Sequence, residues 1–235
     1  MTLFQLKDGY RYNSDSLFLY EFFSSFVGIK ANESLLDVGC GCGVLGLLAA
    51  RDFNCALTSI DILEQNAKLT TLNAQKNGIK AQVLCADFFE FFKKVEQGCF
   101  DKIISNPPFY DFGGTNKNEH LNTSRNAASF SLENFAKAAK KLLKNGGELA
   151  FCYDARLADK ALSLLLAQGL KPVKLAFLHS KPGKNANLAF IVAKKNSKTP
   201  LEIKPPFYAC DEDGKHSQWA LEVFKKASVS SENLE

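Results

Sequence analysis

The sequence predicts an α/β fold with a mostly parallel sheet of seven strands and a C-terminal antiparallel hairpin. Three observations carry this. Short apolar runs alternate with amphipathic helical stretches from residue 34 to beyond residue 190, the pattern of a parallel sheet covered on both faces. A glycine-rich turn joins the first of these strands to the first helix. Only about eight residues, 179–186, separate the last two strands, too few for a crossover helix, so these two must run antiparallel.

Taken in order, residues 13–27 form an apolar helix that Asn13 or Ser14 can cap. Strands follow at 34–38, 56–62, 81–85, 100–105, 148–153, 171–178 and 187–193. Helices intervene at 44–52, 63–77, 88–96, 132–144 and 156–168. Asn77-Gly78, Asn145-Gly146-Gly147 and Gln168-Gly169 stand where helices should stop. Residues 200–206 are extended and 218–227 form a short final helix. Residues 111–130 are polar, rich in Asn and Gly and without period; a connection that long is usually functional or disordered. Three regions result: 1–33, an N-terminal segment and helix that cover the next region; 34–195, the α/β domain itself; and 196–235, an extension packed on that domain.

Composition narrows the class. At 235 residues, 46% hydrophobic, 23% charged and net +4, the chain has an ordinary globular balance and enough apolar content to exclude general disorder. No stretch approaches the roughly 18 consecutive apolar residues of a spanning helix, and the first residues lack the basic-then-apolar pattern of a signal peptide. Seven cysteines without a CxxC pair read as buried, reduced thiols of a cytoplasmic protein. Cys40-x-Cys42 lies in the glycine turn, where small side chains are wanted, and the three histidines have no ligand spacing, so no metal site is expected. Basic residues are concentrated late: residues 135–204 hold 14 Lys+Arg against 4 Asp+Glu. That excess is either a set of solvated helix faces or a footprint for a polyanion.

The chemistry gathers at strand ends. The first turn reads Asp37-Val38-Gly39-Cys40-Gly41-Cys42-Gly43. A dinucleotide fingerprint would place its third glycine one position later, where Val44 stands. Asp37 would repel a pyrophosphate and attract a cationic, amine-bearing ligand such as S-adenosylmethionine. Asp61 ends the second strand, placed to accept from ribose hydroxyls, although alone it could merely cap the next helix. Asp87 ends the third and could meet an adenine amino group or, equally, cap a helix. The fourth strand ends in Asn106-Pro107-Pro108-Phe109-Tyr110. The prolines stop the strand and orient Asn106. Its amide oxygen and a backbone carbonyl can accept from both hydrogens of a planar NH₂, while Phe109 offers a stacking face. Such nitrogens are poor nucleophiles because their lone pair is delocalised, and acceptors on both N–H groups localise it for attack.

With these motifs the chain resembles class I S-adenosylmethionine-dependent methyltransferases of the Asn-Pro-Pro-aromatic group, and within it the bacterial tRNA1(Val) adenosine N6-methyltransferase family. The segments at residues 5–15 and at Lys204-Pro205-Pro206-Phe207-Tyr208 with Asp213-Gly214-Lys215 are similar to that family's opening and closing segments. The resemblance implies a Rossmann-like fold, with Asp37, Gly39, Cys40, Gly41, Asp61 and Asn106 binding S-adenosylmethionine and Asp87 meeting its adenine. It implies that Asn106, Pro107, Pro108 and Phe109 grip an adenosine of tRNA at position 37, beside the anticodon of a valine tRNA. Arg125 lacks the nearby acid that relatives often have, since Asn126-Ala127 follow it. For the RNA the sequence offers Lys181 and Lys184 in the hairpin turn and Arg125 in the long loop, then Lys137, Lys140, Lys141 and Lys144. The hairpin lysines could instead guard a sheet edge against pairing with other chains. Other readings are glutamine methylation of a protein, for which the 33 residues before the first strand are too few to form the usual recognition domain, rRNA methylation, and a non-catalytic binding module. A nicotinamide dehydrogenase is disfavoured by the early glycine and Asp37.

Overall fold

The computed structural model describes residues 1–6, 12–107 and 131–234. Each predicted strand forms: β2 (Ser34–Val38), β3 (Ala56–Asp61), β4 (Ala81–Cys85), β5 (Phe100–Ser105), β6 (Leu143–Asp154), β7 (Leu170–His179) and β8 (Ala186–Lys195). The helices are α1 (Ser14–Phe26), α2 (Val44–Phe53), α3 (Glu64–Lys76), α4 (Phe88–Lys94), α5 (Leu132–Leu142), α6 (Ala158–Ala167) and α7 (Gln218–Ala227). Asn13 caps α1 by accepting from the Asp15 N–H at 3.1 Å.

Strands β4, β3, β2, β5 and β6 lie side by side and parallel; β8 runs antiparallel between β6 and β7. Successive residues of a strand point to opposite faces, and here they feed two cores. Leu35, Ile104 and Ala150 join one core with α1, α2, α3 and α7; Leu36, Ile103 and Leu149 join the other with α4, α5 and α6. On the first face, Phe18 of α1 stacks on Trp219 at 4.9 Å and on Phe224 at 5.6 Å, and Phe22 stacks on Phe190 at 5.5 Å. These aromatic contacts seat α1 and the C-terminal extension on one another and on the sheet.

The sheet is larger than the sequence predicts. Two short strands, β9 (Glu202–Ile203) and β10 (Phe207–Tyr208), pair in parallel with the outer side of β7. The hairpin is therefore not a bare edge, and the edge-guarding account of its lysines loses its premise. A second sheet joins the two ends of the chain, with β1 (Thr2–Leu6) parallel to β11 (Ser230–Leu234). Two strands alone are marginal in water. Here the amides of Asn73 in α3 and of Asn77, which caps it, each accept from and donate to the β1 backbone, at Phe4 and Thr2, as a third strand would.

Charge is more internally paired than its sequence distribution predicts. Lys144, Arg156, Lys194 and Lys204 face Asp101, Asp154, Glu148 and Glu202, and the Lys141 and Lys195 ammoniums donate to the Phe92 and Leu143 carbonyls. Lys141 and Lys144 also stand where β6 begins, at the opposite end of the sheet from Asn106, so they do not adjoin the site. The cysteines are all free, but only Cys40, Cys42, Cys55 and Cys152 are buried; Cys85 is exposed, and Cys99 and Cys210 are half-buried. Among the described residues no helix is long and apolar enough to cross a membrane, and no group of His, Cys, Asp or Glu could hold a metal.

Candidate active site

The carboxyl ends of β2, β3 and β5 converge, as open α/β sheets require of a ligand site. After β2 the chain turns through Gly39, Gly41 and Gly43 with φ of +70°, +56° and +85°, left-handed values that favour glycine. The Gly39 and Cys40 N–H groups donate to the Ile60 carbonyl at 2.9 and 3.1 Å. Asp61 ties the turn to β3: its Oδ2 accepts from the Gly41 N–H and its Oδ1 from the Leu63 N–H, both at 2.9 Å. Each oxygen keeps a second lone pair, so Asp61 can organise the turn and still accept from a diol.

Asp37 is 1% exposed. Its Oδ2 accepts from the Gly46 N–H at 3.0 Å, and its Oδ1 is buried with no hydrogen-bond partner among the described residues. Burial pushes its carboxyl up to about 7, against the lowering effect of the Gly46 N–H, with the charge of Asp61 adding to the rise. A buried acceptor without a donor is costly, and a ligand bearing an ammonium relieves that cost. These features fit S-adenosylmethionine: an orphaned carboxylate oxygen, a second carboxylate with spare lone pairs, and open space beside Gly39.

Asp87 stands two residues past β4 and is occupied as a helix cap, its Oδ1 accepting from the Phe89 and Glu90 N–H groups at 2.6 and 3.3 Å. Of its two sequence readings, the capping role is the one its hydrogen bonds show. Beside Asp61, Ile62 is 42% exposed and Leu63 is similar, an apolar surface that the glycine turn and the strand-end acids do not include. At the end of β5, the Ser105 hydroxyl donates to the Val38 carbonyl at 2.7 Å and holds that strand end to β2. Asn106 follows, its Nδ2 donating to the Ser16 hydroxyl at 3.0 Å and its Oδ1 accepting from the Cys152 thiol at 2.8 Å. Pro107 is buried. Pro108, Phe109 and Arg125 lie outside the described residues.

The turn has supports that sequence reasoning missed. Thr70 of α3 donates to the Gly41 carbonyl at 2.8 Å and contacts the Cys40 thiol at 3.4 Å, and Asn73 donates to the Cys42 carbonyl at 2.9 Å. Asn66, Thr70 and Asn73 are all buried. Their spacing of four and three residues puts a polar stripe on the covered face of α3; that stripe was the available signal.

The model of the methyltransferase small domain matches residues 15–176, more than half of the chain. The protein belongs to the methyltransferase small domain family. As a methyltransferase of this family it takes S-adenosylmethionine as cofactor. Among its relatives is the Bacteroides fragilis tRNA1(Val) (adenine(37)-N6)-methyltransferase, 25% identical over 72% of this chain and 74% of that one. The Haemophilus influenzae protein of the same name is 26% identical over 86% and 85%. The ribosomal RNA small subunit methyltransferase C of Shigella flexneri is 35% identical, over 52% of this chain and 32% of that one. In fold the methyltransferase is similar to a predicted O-methyltransferase from Agrobacterium tumefaciens, with TM-score 0.68, 15% identity and coverage of 93% and 99%. It is also similar to a 16S rRNA N2 methyltransferase of T. thermophilus solved with AdoMet and guanosine, with TM-score 0.60, 22% identity and coverage of 81% and 45%.

Proposed function

We propose that the protein methylates N6 of an adenosine in tRNA, at position 37 beside the anticodon of a valine tRNA, in the cytoplasm where tRNA is found. The observation that carries this is Asn106, an amide held at the carboxyl end of β5 beside the glycine turn. Support comes from the tRNA relatives, which align over most of both chains, whereas the rRNA relative aligns over about half of this one.

When bound, S-adenosylmethionine supplies an electrophilic methyl group. Asp37, Asp61 and the backbone of Gly39, Cys40 and Gly41 hold it, with the Asp87 end of β4 next to its adenine. Asn106 accepts from the target amine, the backbone at Pro107 supplies the second acceptor, and Phe109 stacks on the turned-out base. Positioning dominates such a displacement. The test is incubation of total RNA from bacteria lacking this activity with protein and labelled cofactor, followed by nucleoside mass spectrometry of separated tRNA and rRNA. N6-methyladenosine in the tRNA fraction is expected; label confined to rRNA, or absent from RNA altogether, overturns the reading.

The raised carboxyl of Asp37 makes cofactor binding pH-dependent. Below about pH 7 the ligand-free protein keeps a proton on Asp37, and a cationic ligand must displace it. Affinity for S-adenosylhomocysteine, whose ammonium remains, therefore rises with pH up to about 7, by at most about tenfold per unit, and levels off above. The same proton makes the ligand-free protein lose stability as pH rises from about 4 through 7, because the folded state holds it where the unfolded chain has released it. Calorimetric titration at pH 6, 7 and 8 checks this; Asp37→Asn is expected to flatten the dependence.

For the RNA, Lys181 and Lys184 sit in the turn between β7 and β8, at the same end of the sheet as Asn106 because β7 runs parallel to β5 and β6. Three strand spacings separate them from β5, roughly 14 Å. The loop bearing Asp211, Glu212 and Asp213 lies alongside: the Cys210 N–H donates to the Ser180 carbonyl at 2.9 Å, and Lys181 reaches the Glu212 carbonyl at 3.4 Å. Replacing both lysines by Ala is expected to weaken tRNA binding and lower its salt slope by about 0.7–0.9 per lost phosphate contact. Salt titrations that superimpose would show that these lysines serve only the acidic loop.

A further inference from the structure

The Asn106 amide is gripped from both ends by side chains outside its own motif, 90 and 46 residues away in sequence. Ser16 is the third residue of α1. Asn13 already caps that helix, so the Ser16 hydroxyl is not needed there and takes the Asn106 Nδ2 hydrogen. Cys152 lies in β6, where its backbone pairs with Phe190, and its thiol donates to Asn106 Oδ1. Ser16 is 2% and Cys152 4% exposed, so little water reaches their side of these bonds. Burial, with the charge of Asp15 adding to it, keeps the Cys152 thiol far above its ordinary pKa, hence protonated and able to donate.

An asparagine amide has an oxygen end and a nitrogen end of nearly equal shape. Bonded at both ends, the side chain cannot swing away from the strand end that carries it. The hydroxyl and the thiol can each donate or accept, so what they fix is the place and plane of the amide. With Nδ2 on Ser16 and Oδ1 on Cys152, Oδ1 keeps one lone pair for the incoming amine.

We propose that Ser16 and Cys152 are positioning residues that hold the Asn106 amide in place for the target nitrogen, so that α1 and β6 contribute to the catalytic site. This rests on the reading of Asn106 as the acceptor for the target amine. Each clamp bond contributes about what one hydrogen bond does, so Ser16→Ala and Cys152→Ala are each expected to lower kcat about tenfold. KM for tRNA and affinity for S-adenosylhomocysteine should stay within about twofold. Cys152→Ser, which restores a donor, should recover most of the loss.

A second readout needs no turnover. The side-chain NH₂ resonances of Asn106, assigned by their disappearance in Asn106→Ala, should shift in Ser16→Ala and in Cys152→Ala and return towards their original place in Cys152→Ser. If Asn106→Ala itself keeps full turnover, the reading of Asn106 fails. If Asn106→Ala is inactive while Ser16→Ala and Cys152→Ala keep wild-type kcat and unmoved Asn106 resonances, the clamp is overturned and that reading stands. Equal impairment of Cys152→Ser and Cys152→Ala also overturns the donor role of the thiol. Should Cys152→Ala not fold, Ser16→Ala and Cys152→Ser still decide the matter.

Discussion

Asn106→Ala is expected to lower turnover on tRNA by a hundredfold or more while binding S-adenosylhomocysteine within a few-fold of the parent protein. In the proposed role the amide acts on the attacking nitrogen as its lone pair localises, so its loss falls on kcat. Removal of a single preorganised hydrogen-bonding group at a reacting centre costs on the order of 10²–10³ in rate. The truncation also leaves the Ser16 hydroxyl and the Cys152 thiol without Asn106, but both are neutral and small, so the fold should survive. Single-turnover kinetics with saturating cofactor, alongside calorimetry, check the split. Wild-type single-turnover rates would remove Asn106 from the chemistry.

Asp61→Ala is expected to weaken S-adenosylhomocysteine by about 10- to 150-fold, which corresponds to about 1.5–3 kcal/mol for a charge-assisted hydrogen bond. Two losses combine. In the proposed role the ribose loses its acceptor, and the Gly41 N–H, which donates to Asp61 at 2.9 Å, is left buried with nothing to accept from it. The second loss predicts something the first does not: the ligand-free variant should also unfold at lower urea than the parent. Asp61→Asn keeps an oxygen for Gly41 and should recover stability more than affinity. Calorimetry and urea unfolding of both variants test this, and equal affinity in Asp61→Ala and the parent would remove the ribose assignment.

Much of the architecture was legible because it depends on local pattern. Strands such as Ser34–Val38 and Phe100–Ser105 are short apolar runs between helix signals, and their bounds agree with the structure. The antiparallel hairpin followed from a connection too short to cross over. At β6 the pattern misled: Asn145-Gly146-Gly147 looks like a stop between helix and strand, yet β6 begins at Leu143 and runs through it. Its pairing with β5 absorbs the irregularity as a register shift between Phe100 and Lys102, a neighbour's contribution that no local window contains.

The acids and Asn106 were legible as residue types at strand ends, because the topology of a parallel sheet brings those ends together whatever the side chains. Their partners were not. Ser16, Thr70, Asn73 and Cys152 are ordinary residues of α1, α3 and β6, and only packing sets them against Asn106 and the glycine turn.

The sequence by itself determined the seven-stranded α/β plan, the glycine turn with Asp37 and Asp61, and the placing of Asn106 after β5, since each depends on residues close together in the chain. Tertiary structure alone decided that β1 and β11 pair, that β9 and β10 cover the hairpin's edge, and that Asp37 is buried with an orphaned oxygen. β11 reads Ser-Ser-Glu-Asn-Leu and is mostly exposed; nothing in its composition asks for a strand, and it is one because β1 lies beside it. Hydrogen bonds between backbones and the desolvation of a carboxylate depend on what arrives from elsewhere in the chain, and that is set by the packing of the whole molecule.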